Sequence, residues 1–310
     1  MTKETVEIPD LPAFRPGATR RAVWRGLFRN AFLTVGWLLV GVFVLNIVGP
    51  LTTSLLGRQS HLSNVVNVGW RVAHPEFVDR GGSSAAGIIT RTSGIKAVSL
   101  DAQGVGPVAD VRLREGIFGG VSGSDLNPSS PADGVLRAFG QFTGDASALR
   151  AAEMKEFRNL PAGVEIAAVV EFADPLTEAD YDAFLDAIGS RLSLNPVLFS
   201  AAKTFDEQLS GGGPIVRGVY GWRRALNTSA LDSTVAGFQR WVGSLHDSDR
   251  DALAKVGINL TDLRAAAREG RIHGVIVTSQ SPADLLKMLR DHRVLAVHPY
   301  DISFAVEGNG

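Results

Sequence analysis

The sequence predicts an α+β extracytoplasmic region, with βαβ-type units that two related halves could build, carried on a single N-terminal transmembrane helix. Three observations predict it. Ala31 to Leu56 is apolar and uncharged, and a block of five arginines stands before it. Far downstream, two segments share one order, a buried strand running into a capped helix start.

The uncharged run reads AFLTVGWLLVGVFVLNIVGPLTTSLL. As a helix rising about 1.5 Å per residue it would reach roughly 39 Å, against a hydrocarbon core of about 30 Å. Lipid offers no partners to backbone N–H and C=O groups, so an isolated segment in it must be helical. The competing reading, a buried helix of a soluble core, would ordinarily carry some charge over this length. Arg15, Arg20, Arg21, Arg25 and Arg29 precede the run with no acid among them, and beyond it Arg58 is the only Lys or Arg until Arg71. Positive residues stay cytoplasmic, so the N-terminus is expected inside the cell membrane and everything past about residue 57 outside it. A cleaved signal peptide is the main competitor, with an apolar region of only about 7–15 residues and a small-x-small cleavage site. No A-x-A follows this longer run, which favours an uncleaved anchor, although Thr52, Thr53 and Ser54 keep cleavage open.

Four regions follow: a cytoplasmic arm and juxtamembrane helix over 1–30, the span over 31–56, a strand-rich subdomain over 57–145, and an α/β sensor-like domain over 146–310. Thr2 to Gly17, with Pro9, Pro12 and Pro16 after an acidic start, reads as an extended arm. From Thr19 the pattern turns helical. Arg21, Arg25 and Arg29 fall on one face, and Val23, Trp24, Leu27 and Phe28 on another. Arg20, Arg21, Trp24, Arg25, Phe28 and Arg29 are therefore the candidate contact residues. They could meet anionic lipid headgroups, as snorkelling arginines and belt aromatics do, or grip a cytoplasmic partner protein. Asn46 could bond across a helix pair and favour a homodimer, or simply lie at the outer interface. Gly36 and Gly41 have the wrong spacing for a small-xxx-small face.

In the strand-rich part, Asn67 to Phe77, Gly87 to Thr92, Lys96 to Leu100 and Val108 to Leu113 read as strands between Gly and Ser clusters. Gly119 to Gly144 is a Gly/Ser/Pro-rich loop or linker, and a helix is expected over Ala146 to Arg158. Val164 to Phe172 is a buried strand, and Thr177 caps a helix through Ile188. His273 to Thr278 is a second strand, after which Ser281 caps a helix with Pro282 at its first position, ending near Arg290. Val294 to Val297 supplies a further strand. Between the two units lie a strand over Ile215 to Trp222 and helices over Leu231 to Ser244 and Ser248 to Arg268.

Composition narrows function. With 31 basic against 32 acidic residues, a net charge of -1, there is no basic excess and no expectation of nucleic-acid binding. The absence of cysteine rules out disulfides, thiolate zinc sites and cysteine nucleophiles. Ser200 and Lys203 match the S-x-x-K spacing of penicillin-recognising enzymes, which needs both on one helical face, but S-D-N and K-T-G are missing. Gly120-Val-Ser-Gly is no nucleophile elbow, and Pro107 after Gly104-Val-Gly106 suits a turn, not a phosphate loop. His61, His74, His246, His273, His292 and His298 form no HxH, HxxxH or HExxH pair, so spacing predicts no metal site. Glu171, Asp174, Asp180 and Asp182 are ordinary strand-end and helix-start acids. Asn227 and Asn259 open glycosylation sequons, meaningful only in a eukaryotic secretory pathway. The expectation is a binding or sensing module with no catalytic residue and no cofactor.

The stretch Arg20 to Asn30 (RRAVWRGLFRN) running into the span, the Asn67 to Phe77 segment with its His74-Pro75, and Val169 to Thr177 (VVEFADPLT) together resemble the bacterial sigma factor regulator family. These are membrane-anchored anti-sigma factors with paired N- and C-terminal regulator regions. The resemblance implies a single-pass regulator that holds an extracytoplasmic-function sigma factor inactive and answers envelope signals through its outer domain. About thirty cytoplasmic residues are fewer than a self-sufficient anti-sigma domain needs. Binding would then use an arm that orders on contact, or a companion membrane regulator. An anchored extracytoplasmic binding or envelope-assembly protein is the alternative.

Overall fold

The apolar N-terminal run falls within one long helix, α1 (Pro16–Leu55), of 40 residues. The computed structural model describes residues 16–55, 58–86, 90–102, 106, 108–116, 121–124, 126–141, 145–161, 163–189, 195–200, 218–223 and 233–304. The chain divides into two compact units, Met1–Leu55 and Leu56–Gly310. In the first, Val23–Val44 has a mean hydropathy of 1.8 and is not buried; among the described residues it is the one helical stretch long and apolar enough to cross a membrane. Pro16 opens α1 where its missing N–H costs nothing. The extended arm expected over the first residues lies outside the described ones up to residue 15.

The second unit begins with α2 (Arg58–Ala73), which corrects the strand expected from Asn67. Val65, Val66, Gly69, Trp70 and Ala73 are buried, a helical period that continues past Asn67 until Phe77 opens β1. A four-stranded antiparallel meander follows: β1 (Phe77–Ala86), β2 (Thr90–Ser99), β3 (Val108–Gly116) and β4 (Val121–Ser124). Ser93, Ile95, Ala97 and Ser99 on β2, with Ala109, Val111 and Leu113 on β3, face inward, while Asp110, Arg112 and Arg114 face water. This two-residue period buries one sheet face against the core that includes Trp70. Where β1 slips against β2 between Asp79 and Gly82, Gly81 takes φ +116°, a left-handed value suited to glycine at a bulge.

The other sheet has the order β7-β6-β8-β5-β9, built from β5 (Val164–Leu176), β6 (Val197–Ser200), β7 (Val219–Trp222), β8 (Ile272–Gln280) and β9 (Val294–Phe304). Every described ladder is antiparallel. The expected βαβ-type units are therefore not seen as adjacent parallel strands. Strands β8 and β9, joined by α9 (Pro282–Arg290), both pair with β5 and so lie parallel with β5 between them. Likewise β5 and β6, joined across α5 (Glu178–Ile188), are separated by β8. Strand–helix order is a local signal, whereas neighbour choice is set by the whole sheet, here in the split arrangement of ferredoxin-like sheets.

Both faces of this sheet are covered, which is why β5 reads as an almost unbroken apolar run. Ala168, Val170, Val275 and Val277 join the large core. Val169, Leu198, Val219 and Ile276 meet Ala132, Leu136 and Phe139 around α3 (Asp133–Ala138). The large core takes in α4 (Ala146–Asn159), α5, α6 (Thr234–Gly243), α8 (Leu260–Glu269) and α9, with Phe199 stacked on Phe238 at 4.3 Å. The single helix expected over Ser248 to Arg268 is two: a 3-10 turn at Asp247–Asp249 leads into α7 (Arg250–Lys255), and α8 follows. Gly257 at φ +82° breaks them, and Asn259 restarts the helix by accepting the Thr261 N–H at 2.9 Å.

Candidate functional sites

Arg20, Trp24, Arg25, Phe28 and Arg29 project from α1 with exposed side chains, and Arg21 lies on the same helix. At 100° per residue, Arg20, Trp24 and Phe28 form one stripe and Arg21, Arg25 and Arg29 the next. The Trp24 and Phe28 ring centroids are 5.9 Å apart. Arg15 lies outside the described residues.

Ser200 sits at the end of β6, opposite Val219 on β7, and its Oγ donates to the Gly218 carbonyl at 3.2 Å. It is on a strand, so the helical turn required of an S-x-x-K pair does not start there. Lys203 lies outside the described residues. Asp180 and Asp284 are capping partners: each closes a capping box with its N-cap residue, Thr177 and Ser281 respectively.

The histidines are gathered by tertiary structure. His298 Nε2 lies 3.3 Å from Glu171 Oε2, and its Nδ1 lies 3.8 Å from Glu153 Oε1. Glu153 Oε2 accepts the Val297 N–H at 2.9 Å. Burial, with Glu156 and Glu171 nearby, pushes the Glu153 carboxyl above its usual range against the pull of that bond and of His298. His273 lies 3.3 Å from Glu269, and burial pulls its imidazole down. His74 and Glu76 are buried together, Nδ1 to Oε1 3.5 Å. Between them, the Pro75 carbonyl accepts from Arg223 at 2.9 Å, and burial lowers that guanidinium to about 10. The His74-Pro75 pair of the resemblance is thus an internal junction against β7.

One cluster was invisible to spacing. His61 on α2 and His246 after α6 are 185 residues apart in sequence, yet His246 Nδ1 lies 3.3 Å from His61 Nε2. Asp249 Oδ2 lies 3.1 Å from His61 Nε2 and 3.8 Å from His246 Nδ1, and accepts the His246 backbone N–H at 2.8 Å. Asp249 is buried, while the His246 side chain is 71% exposed. Next to this turn a cleft of about 590 Å³ opens between α6 and α8, lined by Gln239, Val242, Leu245, Thr261, Arg264 and Arg268. Arg264 is held across its edge by Asp247 at 2.6 Å and the Leu245 carbonyl at 3.1 Å. No family model, curated protein or solved structure matches this chain.

Proposed function

We propose that this chain is a single-pass membrane regulator, N-terminus cytoplasmic, whose outer α+β unit senses an envelope signal. Its inner segment would control an extracytoplasmic-function sigma factor, directly or through a companion membrane regulator. The observation that carries the reading is α1, a helix whose apolar side chains from Val23 to Val44 are exposed around its circumference, with basic and aromatic stripes at one end. An arginine at the bilayer centre costs about 2.5–3.5 kcal/mol, so lipid would seat on the uncharged Ala31–Leu55 portion and leave Arg25 and Arg29 at the headgroups. Arg20, Arg21, Trp24, Arg25, Phe28 and Arg29 then face anionic lipid, or a protein partner held at the membrane surface. The cleft between α6 and α8, where Arg264 and Arg268 stand beside Val242 and Leu245, is the feature of the outer unit that supports a sensing role.

The test is affinity purification of the full-length chain from membranes in mild detergent. Recovery of a sigma factor or membrane regulator, lost when residues 2–18 are scrambled with Arg20 to Arg29 kept, supports the regulator. Unchanged function and no such partner after scrambling would instead indicate an anchored binding or envelope-assembly protein whose arm only fixes topology.

A further inference from the structure

We propose that His61, His246 and Asp249 bind a divalent transition metal of the zinc class. The three ligand atoms form a triangle with edges of 3.1, 3.3 and 3.8 Å. Those edges put the point equidistant from all three about 2.0 Å from each in their plane, the length of a Zn–N or Zn–O bond, and a tetrahedral ion sits slightly out of that plane. An octahedral face with bonds of about 2.1 Å would have edges near 3.0 Å, shorter than every edge here. Two imidazoles and one carboxylate match zinc, copper, nickel or cobalt, whereas calcium and magnesium take oxygen shells.

The His246 backbone N–H already donates to the ligating Asp249 Oδ2 at 2.8 Å and fixes the carboxylate. Exposure of His246 leaves the fourth position to water or to a further ligand from outside. A bound ion would fasten the first turn of α2 to the turn after α6, 185 residues away, and this inference holds whether or not α1 lies in a membrane. The competing account is that Asp249 merely caps the 3-10 turn and bonds His61.

Full-length protein in detergent, stripped with a chelator, is titrated with Zn²⁺ by calorimetry and with Co²⁺ by visible absorption. The metal site predicts one equivalent of Zn²⁺, a rise in melting temperature on binding, and the intense d–d bands of four-coordinate cobalt. His246→Ala and His61→Ala should each weaken Zn²⁺ by more than about tenfold and remove the cobalt bands, while His292→Ala, which changes a histidine outside the triangle, leaves both intact. Because His246 is largely exposed, His246→Ala keeps the fold and decides the matter if His61→Ala does not. The proposal is overturned if wild-type protein takes up no stoichiometric metal, or if His246→Ala binds it as wild type does.

Discussion

At Gly274 and Gly221 a single methyl group would be too much. A Cβ on Gly274 would collide with the Val170 carbonyl oxygen of β5 and stand 2.8 Å from the ring of Phe139, the residue that follows α3. On Gly221 it would overlap the Pro75 ring. Gly274→Ala should therefore lose about 2–3 kcal/mol in denaturant unfolding, since neither a carbonyl nor a packed ring yields cheaply. Gly134→Ala in α3, where nothing lies within 4 Å, should instead gain up to about 1 kcal/mol. A second residue-scale effect is titration. Burial holds the folded His273 below its ordinary 6.5, so the unfolded chain takes the proton first as the solution acidifies. Its contribution is complete above 6.5 and is lost as pH falls from there through the folded value. Melting temperatures between about pH 7.5 and 5 should fall less steeply for His273→Gln than for wild type. Glu153 acts with the opposite sign: its raised carboxyl pKa removes stability as pH climbs from 4.5 through the folded value.

Among the elements, those that announce themselves locally were the ones legible in sequence. Thr177 with Asp180 and Ser281 with Asp284 are short-range capping boxes, and α5 and α9 begin at them as the sequence predicts. Ser281→Ala should cost about 1 kcal/mol, measured by the shift in denaturation midpoint, because the Asp284 N–H loses its acceptor. α4 and β5 were equally plain, the latter because burial on both faces removes any polar alternation. Where patterns overlap, sequence misleads. Val65 to Trp70 fits a helix as well as a strand, and only packing against the core selects α2. The α7–α8 break depends on one left-handed Gly257, which a periodicity window passes over. Strand neighbours and the His61–His246–Asp249 triangle belong to a longer range still. Neither leaves a spacing signature, since β5 meets β8 across about a hundred residues and His61 meets His246 across 185.

For the whole molecule, residues 56–310 share one body in which Trp70 of α2, Val111 of the meander and Val275 of the larger sheet belong to the same core. Among its described residues that body exposes only Val108, Ile302 and Phe304 as large apolar side chains, whereas α1 exposes a continuous series that includes Phe32 and Trp37, which water would penalise and lipid would accept. The regulator account rests on this contrast and on arginines gathered at one end of the helix. The most direct measurement is protease shaving of spheroplasts that express the full-length protein with an N-terminal epitope, combined with alkaline carbonate extraction of the membranes. The account predicts that the protein stays in the carbonate-resistant pellet, and that external protease removes the body but leaves a small protected fragment bearing the epitope. Recovery in the soluble fraction, or an intact body with a digested epitope, would contradict it.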